Sequence, residues 1–147
     1  MKKRGSGEKD YYFTQSVIIG FSLPIESRVL TKLTGEEITY QGSSMFPIFI
    51  EGDRLIFEKN SRIRSGDVIV YAEPGGLRYI IHRVITIRGD QMIQTAGDNN
   101  RAPDPYILDP ALVLGKVIRR NRLIYSTPVR GGIHGLVLYQ YPKSVDL

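Results

Sequence analysis

The chain is 147 residues long, enough for one domain with a buried core, and its 41% hydrophobic and 24% charged content is that of a globular protein. It has no cysteine, which excludes disulfides, thiolate nucleophiles and cysteine-ligated zinc, and its two histidines, His82 and His134, are too few for a histidine-only metal site. The formal net charge of +5 is concentrated in MKKR at the start and RRNR at 119–122. That is a basic solvated surface, or one drawn to acidic lipid headgroups; no helix-turn-helix, zinc-finger or aromatic RNA-binding signature accompanies it, so no nucleic-acid partner is expected.

Residues 1–10, MKKRGSGEKD, read as a charged tail within an N-terminal extension over 1–23. The apolar run VIIGFSLPI at 17–25 is interrupted by Gly20 and Pro24 and falls short of the roughly 20 residues that span a bilayer. No small-residue cleavage site follows it, so no transmembrane segment or secretory signal is indicated, and the expected location is cytoplasmic or peripheral to a membrane. From Pro24 to Gly35 the apolar residues Ile25, Val29, Leu30 and Leu33 share one helical face. Pro suits the first turn and Gly the stop, which predicts a short amphipathic helix at the start of a single domain over 24–147.

Past Gly35 the period becomes that of strands. EITYQ (37–41), DRLIFEK (53–59), DVIVYAE (67–73), LRYIIHRVITIR (77–88), QMIQTAG (91–97) and LVLGKVIRR (112–120) are rich in β-branched and aromatic residues. Gly, Pro, Asp and Asn clusters separate them. Short strands with tight connections predict a mainly β domain: a coiled antiparallel sheet or partial barrel. The last stretch, 122–147, starts like a strand and then becomes a Gly-broken aromatic tail.

The chemistry centres on QGSSMFPIFIEGD, residues 41–53, where a serine pair is framed by large apolar side chains. Such a pair is commonly a turn with satisfied hydroxyls. The other reading is a nucleophile at the mouth of an apolar groove, which needs a base to activate it. His82, in a strand apolar on both faces, is one candidate, although a lone histidine among aliphatics is by default a core residue. His134, in the Gly-rich segment GGIHGL, is a weaker one. A carboxylate beside the imidazole would fix its tautomer. TAGDNNRAPDP supplies Asp98 and Asp104, and spacing does not choose between them.

In order, GSSMFP, EGDRLIF, RSGDVIVY, IIHRV, TAGDNN and LGKV resemble the successive boxes of the type I signal peptidase superfamily, which includes the LexA-like self-cleaving repressors (S24/S26 serine peptidases). The resemblance runs over about 36–120. Histidine in HRV, where bacterial signal peptidases and LexA carry lysine, is similar to the endoplasmic-reticulum and archaeal branch, as is GDNN; here it would be a small member without a membrane anchor. The resemblance implies that Ser44 is the nucleophile, His82 the general base and Asp104 the orienting acid, with Asp98 in support. It implies no cofactor and no metal. It also implies a shallow apolar groove that takes a precursor protein or leader peptide as an added strand, with Gly42, Ser43, Met45, Phe46 and Pro47 around the substrate and Ile48 and Phe49 in its wall.

Two features depart from the pattern. Signal peptidases often carry Ser two residues before the nucleophile, where its hydroxyl serves the oxyanion hole; Gly42 stands there, leaving Ser43 or a backbone donor. The missing anchor allows a leader-peptide substrate in place of an exported preprotein. Three alternatives stand beside the serine endopeptidase. One is a LexA-like regulator cleaving itself, but neither a DNA-binding domain nor a suitable bond precedes Ser44. Another is a non-catalytic peptide-binding module. The third is a Ser–Lys pair using Lys59 or Lys116, neither of which occupies the strand position of His82.

Overall fold

The computed structural model describes residues 36–140. The helix expected over 24–35 and the N-terminal tail lie outside the described residues. In chain order the elements are β1 (Glu36–Thr39), β2 (Arg54–Glu58), β3 (Val68–Ala72), β4 (Tyr79–Ile87), β5 (Ile93–Ala96), a 3-10 turn (Pro110–Leu112), β6 (Val113–Arg122), β7 (Tyr125–Pro128) and helix α1 (Gly132–Gln140). Every strand pair is antiparallel, in the order β1-β2-β6-β3-β4-β5, with β7 added to β6. The sheet is not closed into a barrel. This is the mainly β, antiparallel architecture that the strand periodicity indicates.

The ten-residue β6 organises the sheet. Its first half pairs with β3; its second half pairs with β2 on one edge and β7 on the other. Register shifts at Ile56/Phe57 and Val70/Tyr71 break both ladders. Such bulges bend a strand and increase its twist, which coils the sheet.

β3 is buried on both faces. Val68 and Val70 join Ile38, Tyr40, Met45, Phe49, Leu55, Phe57, Ile81 and Val117 in one core cluster. Ile69 and Tyr71 join Val84, Ile93 and Leu108 in the other. β4 is shared in the same way, which explains why neither strand shows a clean polar/apolar alternation. His82 therefore projects on the side of Ile69 and Tyr71, and Arg83 on the side of Val68 and Ile81.

Two stretches differ from the sequence expectation. The strand expected from Gln91 starts at Ile93, because Gln91 takes a positive φ of 66° in the turn after β4. The Gly-rich C-terminal stretch contains α1. Gly is a poor helix former, so propensity hides this helix. The reason for Gly135 is packing: a Cβ there would collide with the Gly66 carbonyl oxygen and the Arg83 guanidinium.

Candidate active site

Ser44 lies in the loop from β1 to β2. Tyr40 N–H donates to Asp53 O at 2.8 Å and Gly52 N–H to Tyr40 O at 3.0 Å, closing the base of the loop. The Asp53 carboxylate accepts from Ile50 N–H at 2.9 Å and from both arms of Arg122 at 2.7 Å. Phe49 N–H donates to Met45 O at 3.0 Å, closing a turn whose Met45 and Phe49 side chains are both fully buried. Both side chains join the core cluster, so the pair anchors the loop in the core. Ser44, immediately before this anchor, is left half-buried at the rim.

His82 reaches it from β4, 38 residues away, with Nε2 3.0 Å from Ser44 Oγ. Nδ1 lies 2.8 Å from Asp104 Oδ2. The same carboxylate oxygen accepts from Thr95 Oγ1 at 2.6 Å and from the Tyr71 hydroxyl at 3.0 Å. Asp104 itself is held by its N–H on Thr95 O at 2.8 Å and by the Gln94 side chain on its carbonyl at 2.9 Å. Burial pushes the Asp104 carboxyl up, but the hydrogen bonds from His82, Thr95 and Tyr71 and the His82 charge outweigh it, so Asp104 stays below the ordinary carboxylate value. Burial also holds the Tyr71 phenol protonated, far above its ordinary range. With Asp104 ionised, His82 Nδ1 carries the proton toward it, and Nε2 is left as an acceptor facing the serine hydroxyl.

Asp98 is elsewhere. Its carboxylate takes both arms of Arg83, at 2.8 and 2.7 Å, with both side chains buried. Arg83 also donates to Gly66 O at 2.7 Å and Arg130 O at 3.1 Å. The pair fixes the loop after β5. In that loop Asn99 N–H donates to Ser44 O at 2.7 Å and Asn99 Nδ2 to Ser43 O at 3.1 Å. The geometry thus brings Ser44, His82 and Asp104 together and makes Asp98 a buried ion-pair partner that supports the serine loop from behind. Lys59 pairs with Glu36, and Lys116 lies 3.9 Å from Asp67. His134 is exposed on α1.

A cavity of about 760 Å³ opens beside Ser44, lined by residues 38–44 on one side and 78–82 on the other. Gly42 and Ser43 line it. Met45, Phe46 and Pro47, expected around the substrate, are not among its lining residues: Met45 points into the core, while Phe46 is 52% exposed and Pro47 is exposed. The turn closed by Phe49 and Met45 explains this, since it directs the side chains after Ser44 inward or outward and leaves the residues before it facing the cavity. Phe49, expected in the groove wall, is likewise a core residue. Sequence reasoning missed Tyr40, Tyr71 and Thr95. All three sit on or beside strands where they read as ordinary β-formers, and only their hydroxyl contacts distinguish them. Among the described residues no group of three or more His, Asp or Glu side chains is placed to hold a metal ion. Nor is any described helix long and apolar enough to cross a membrane.

Fold and site together define a class. The Peptidase S24-like family model matches residues 21–118, and the chain belongs to that family. Among curated proteins it is similar to the human signal peptidase complex catalytic subunit SEC11C, with 34% identity over 102 residues, covering 59% of this chain and 53% of that protein. The subunit SEC11 of Scheffersomyces stipitis is 32% identical over 98 residues, covering 64% and 57%. That of Ajellomyces capsulatus is 26% identical over 148 aligned positions, covering 84% and 75%. The chain thus spans about half the length of the first of these relatives.

Proposed function

We propose that the protein is a serine endopeptidase that removes a signal or leader peptide from a precursor protein, with Ser44 as nucleophile, His82 as general base and Asp104 as orienting acid. The observation that carries this reading is the unbroken hydrogen-bonded series Ser44 Oγ, His82 Nε2, His82 Nδ1, Asp104 Oδ2, with steps of 3.0 and 2.8 Å. His82 takes the Ser44 proton as Oγ bonds to the scissile carbonyl carbon, and the carbonyl electron pair moves onto its oxygen. The imidazolium formed lies against the ionised Asp104. It then gives its proton to the leaving amine, and water, activated by the same histidine, hydrolyses the acyl-enzyme. The Ser44 backbone N–H serves the oxyanion; a donor in that position is typically worth about 3–4 kcal/mol.

The substrate is proposed to bind as an extended strand. Among the described residues β1 ends the sheet, and no named strand pairs with its outer edge. β5 pairs with β4 only from Arg83 onward, which leaves the 79–82 half of β4 with one edge unpaired by any named strand. These two edges line the same cavity, so a peptide between them can satisfy its backbone on both sides. Alternate side chains of such a strand face the same way, so the first and third residues before the cleaved bond would meet the cavity together, and the resemblance to signal peptidases implies small side chains next to the cleaved bond.

The test is mass spectrometry of a peptide library incubated with the protein and with its Ser44→Ala form. Cleavage by the parent alone, after small residues, is expected. Equal cleavage by both, or by neither, would contradict the proposal.

A further inference from the structure

We infer that Tyr40 is a fourth catalytic side chain, one that donates its phenolic proton to the Ser44 nucleophile; this rests on the peptidase reading above. Tyr40 is only 2% exposed, yet its hydroxyl reaches the cavity beside the serine. Its ring is pinned edge-on to Phe49, with centroids 5.6 Å apart. Its backbone is held at both ends by Asp53 and Gly52. A phenol placed this firmly, with its oxygen 3.3 Å from a reacting oxygen, has a defined hydrogen-bonding role.

Counting protons assigns that role. The Tyr40 oxygen already accepts the Met45 N–H at 2.9 Å, so its own O–H is free to point elsewhere. Ser44 Oγ has one proton, and it goes to His82 Nε2, because Nδ1 faces the ionised Asp104. Between Tyr40 and Ser44, then, tyrosine is the donor and Ser44 Oγ the acceptor. The series runs from the Met45 N–H through Tyr40 and Ser44 to His82.

Two consequences follow. In the resting enzyme the phenol fixes the serine rotamer that aims its proton at His82. As Oγ bonds to the carbonyl carbon it gives its proton to His82 and the charge passes to the carbonyl oxygen, so one Oγ lone pair must be aimed at the carbon while the phenol occupies the other. The phenol therefore acts by orientation, holding Oγ on its line of attack, and its loss lowers kcat. No proton leaves Tyr40 in this step; it stays a phenol while the Ser44 proton passes to His82. Gly42 has no side chain to offer at this turn, whereas Tyr40 supplies a hydroxyl 3.3 Å from Ser44 Oγ.

The experiment measures kcat and KM on a quenched fluorescent peptide with alanine at the first and third positions before the scissile bond. Tyr40→Phe should lower kcat about tenfold to a hundredfold with KM nearly unchanged, at a thermal midpoint showing that the domain is folded. The second variant carries 3,5-difluorotyrosine at position 40, which keeps the ring and the Met45 acceptor. Its more acidic phenol loses the donated proton sooner, so the alkaline limb of kcat should move to lower pH. Full kcat in a folded Tyr40→Phe protein would overturn the inference. If Tyr40→Phe unfolds, an alkaline limb unmoved by fluorination would overturn it. Inactivity of the parent protein itself would instead remove the peptidase reading beneath it.

Discussion

The two aspartates after β5 separate by what each carboxylate touches. Asp104 faces an imidazole and Asp98 a guanidinium, and the same substitution should therefore fail differently at each. Asp104→Asn should leave a folded protein with cleavage reduced by roughly three to four orders of magnitude, because His82 loses the partner that fixes its tautomer. Asp98→Asn removes one charge of a buried pair and leaves Arg83 uncompensated. That should cost about 3–5 kcal/mol in a urea titration, with the larger loss in stability and the smaller loss in activity per folded molecule. The reverse ranking of activity would move the orienting role to Asp98. Ser44→Ala and His82→Ala should each reduce turnover by at least roughly a thousandfold without unfolding the domain. At this scale the sequence exposes residue types and order but not direction. Histidine in HRV and aspartate in GDNN were visible as chemistry; that Arg83 turns to Asp98 while His82 turns to Asp104 depends on which face of β4 each occupies, and both faces are apolar.

Elements bring these groups together through loops that press closely on one another. A Cβ on Gly97 would stand 2.6 Å from the Ser44 carbonyl oxygen and 2.8 Å from the Asn100 amide nitrogen. Gly97→Ala should therefore push the loop after β5 away from the serine turn and weaken the Asn99 bonds that hold it. The expected result is a fall in kcat of about tenfold or more alongside a lowered thermal midpoint; unchanged kinetics would show that the loop does not position the nucleophile. Gly135→Ala tests a different junction. Its Cβ would meet Gly66 and Arg83, so α1 should detach and the melting temperature should drop by several degrees, measured by calorimetry. Strands were legible because their β-branched runs and Gly/Asp turns agree. The helix was not, because Gly135 answers to contact with Gly66 and Gly132 to a positive φ of 57° rather than to helix propensity. The cavity is lined by residues just before Ser44 rather than after it, because the turn after Ser44 buries Met45 and Phe49 and turns Phe46 and Pro47 outward, and hydrophobicity alone cannot distinguish a core anchor from a groove wall.

For the whole molecule, Asp104 contributes to the response to acid. Asp104 sits below its ordinary pKa of 3.8 in the fold, so its contribution to stability is present above that value and is lost as pH falls through the folded value. The parent protein should lose stability in urea titrations carried from about pH 6 to about pH 3, and Asp104→Asn should lose less over the same interval; equal slopes would contradict the linkage. The most direct measurement of all is rapid-quench mass spectrometry of the protein during turnover of a peptide ester with small residues before the scissile bond. The expected result is a transient mass increase equal to the N-terminal fragment, mapped to Ser44 and absent from His82→Ala; turnover with no adduct, or with an adduct on another residue, would contradict a serine nucleophile at this position.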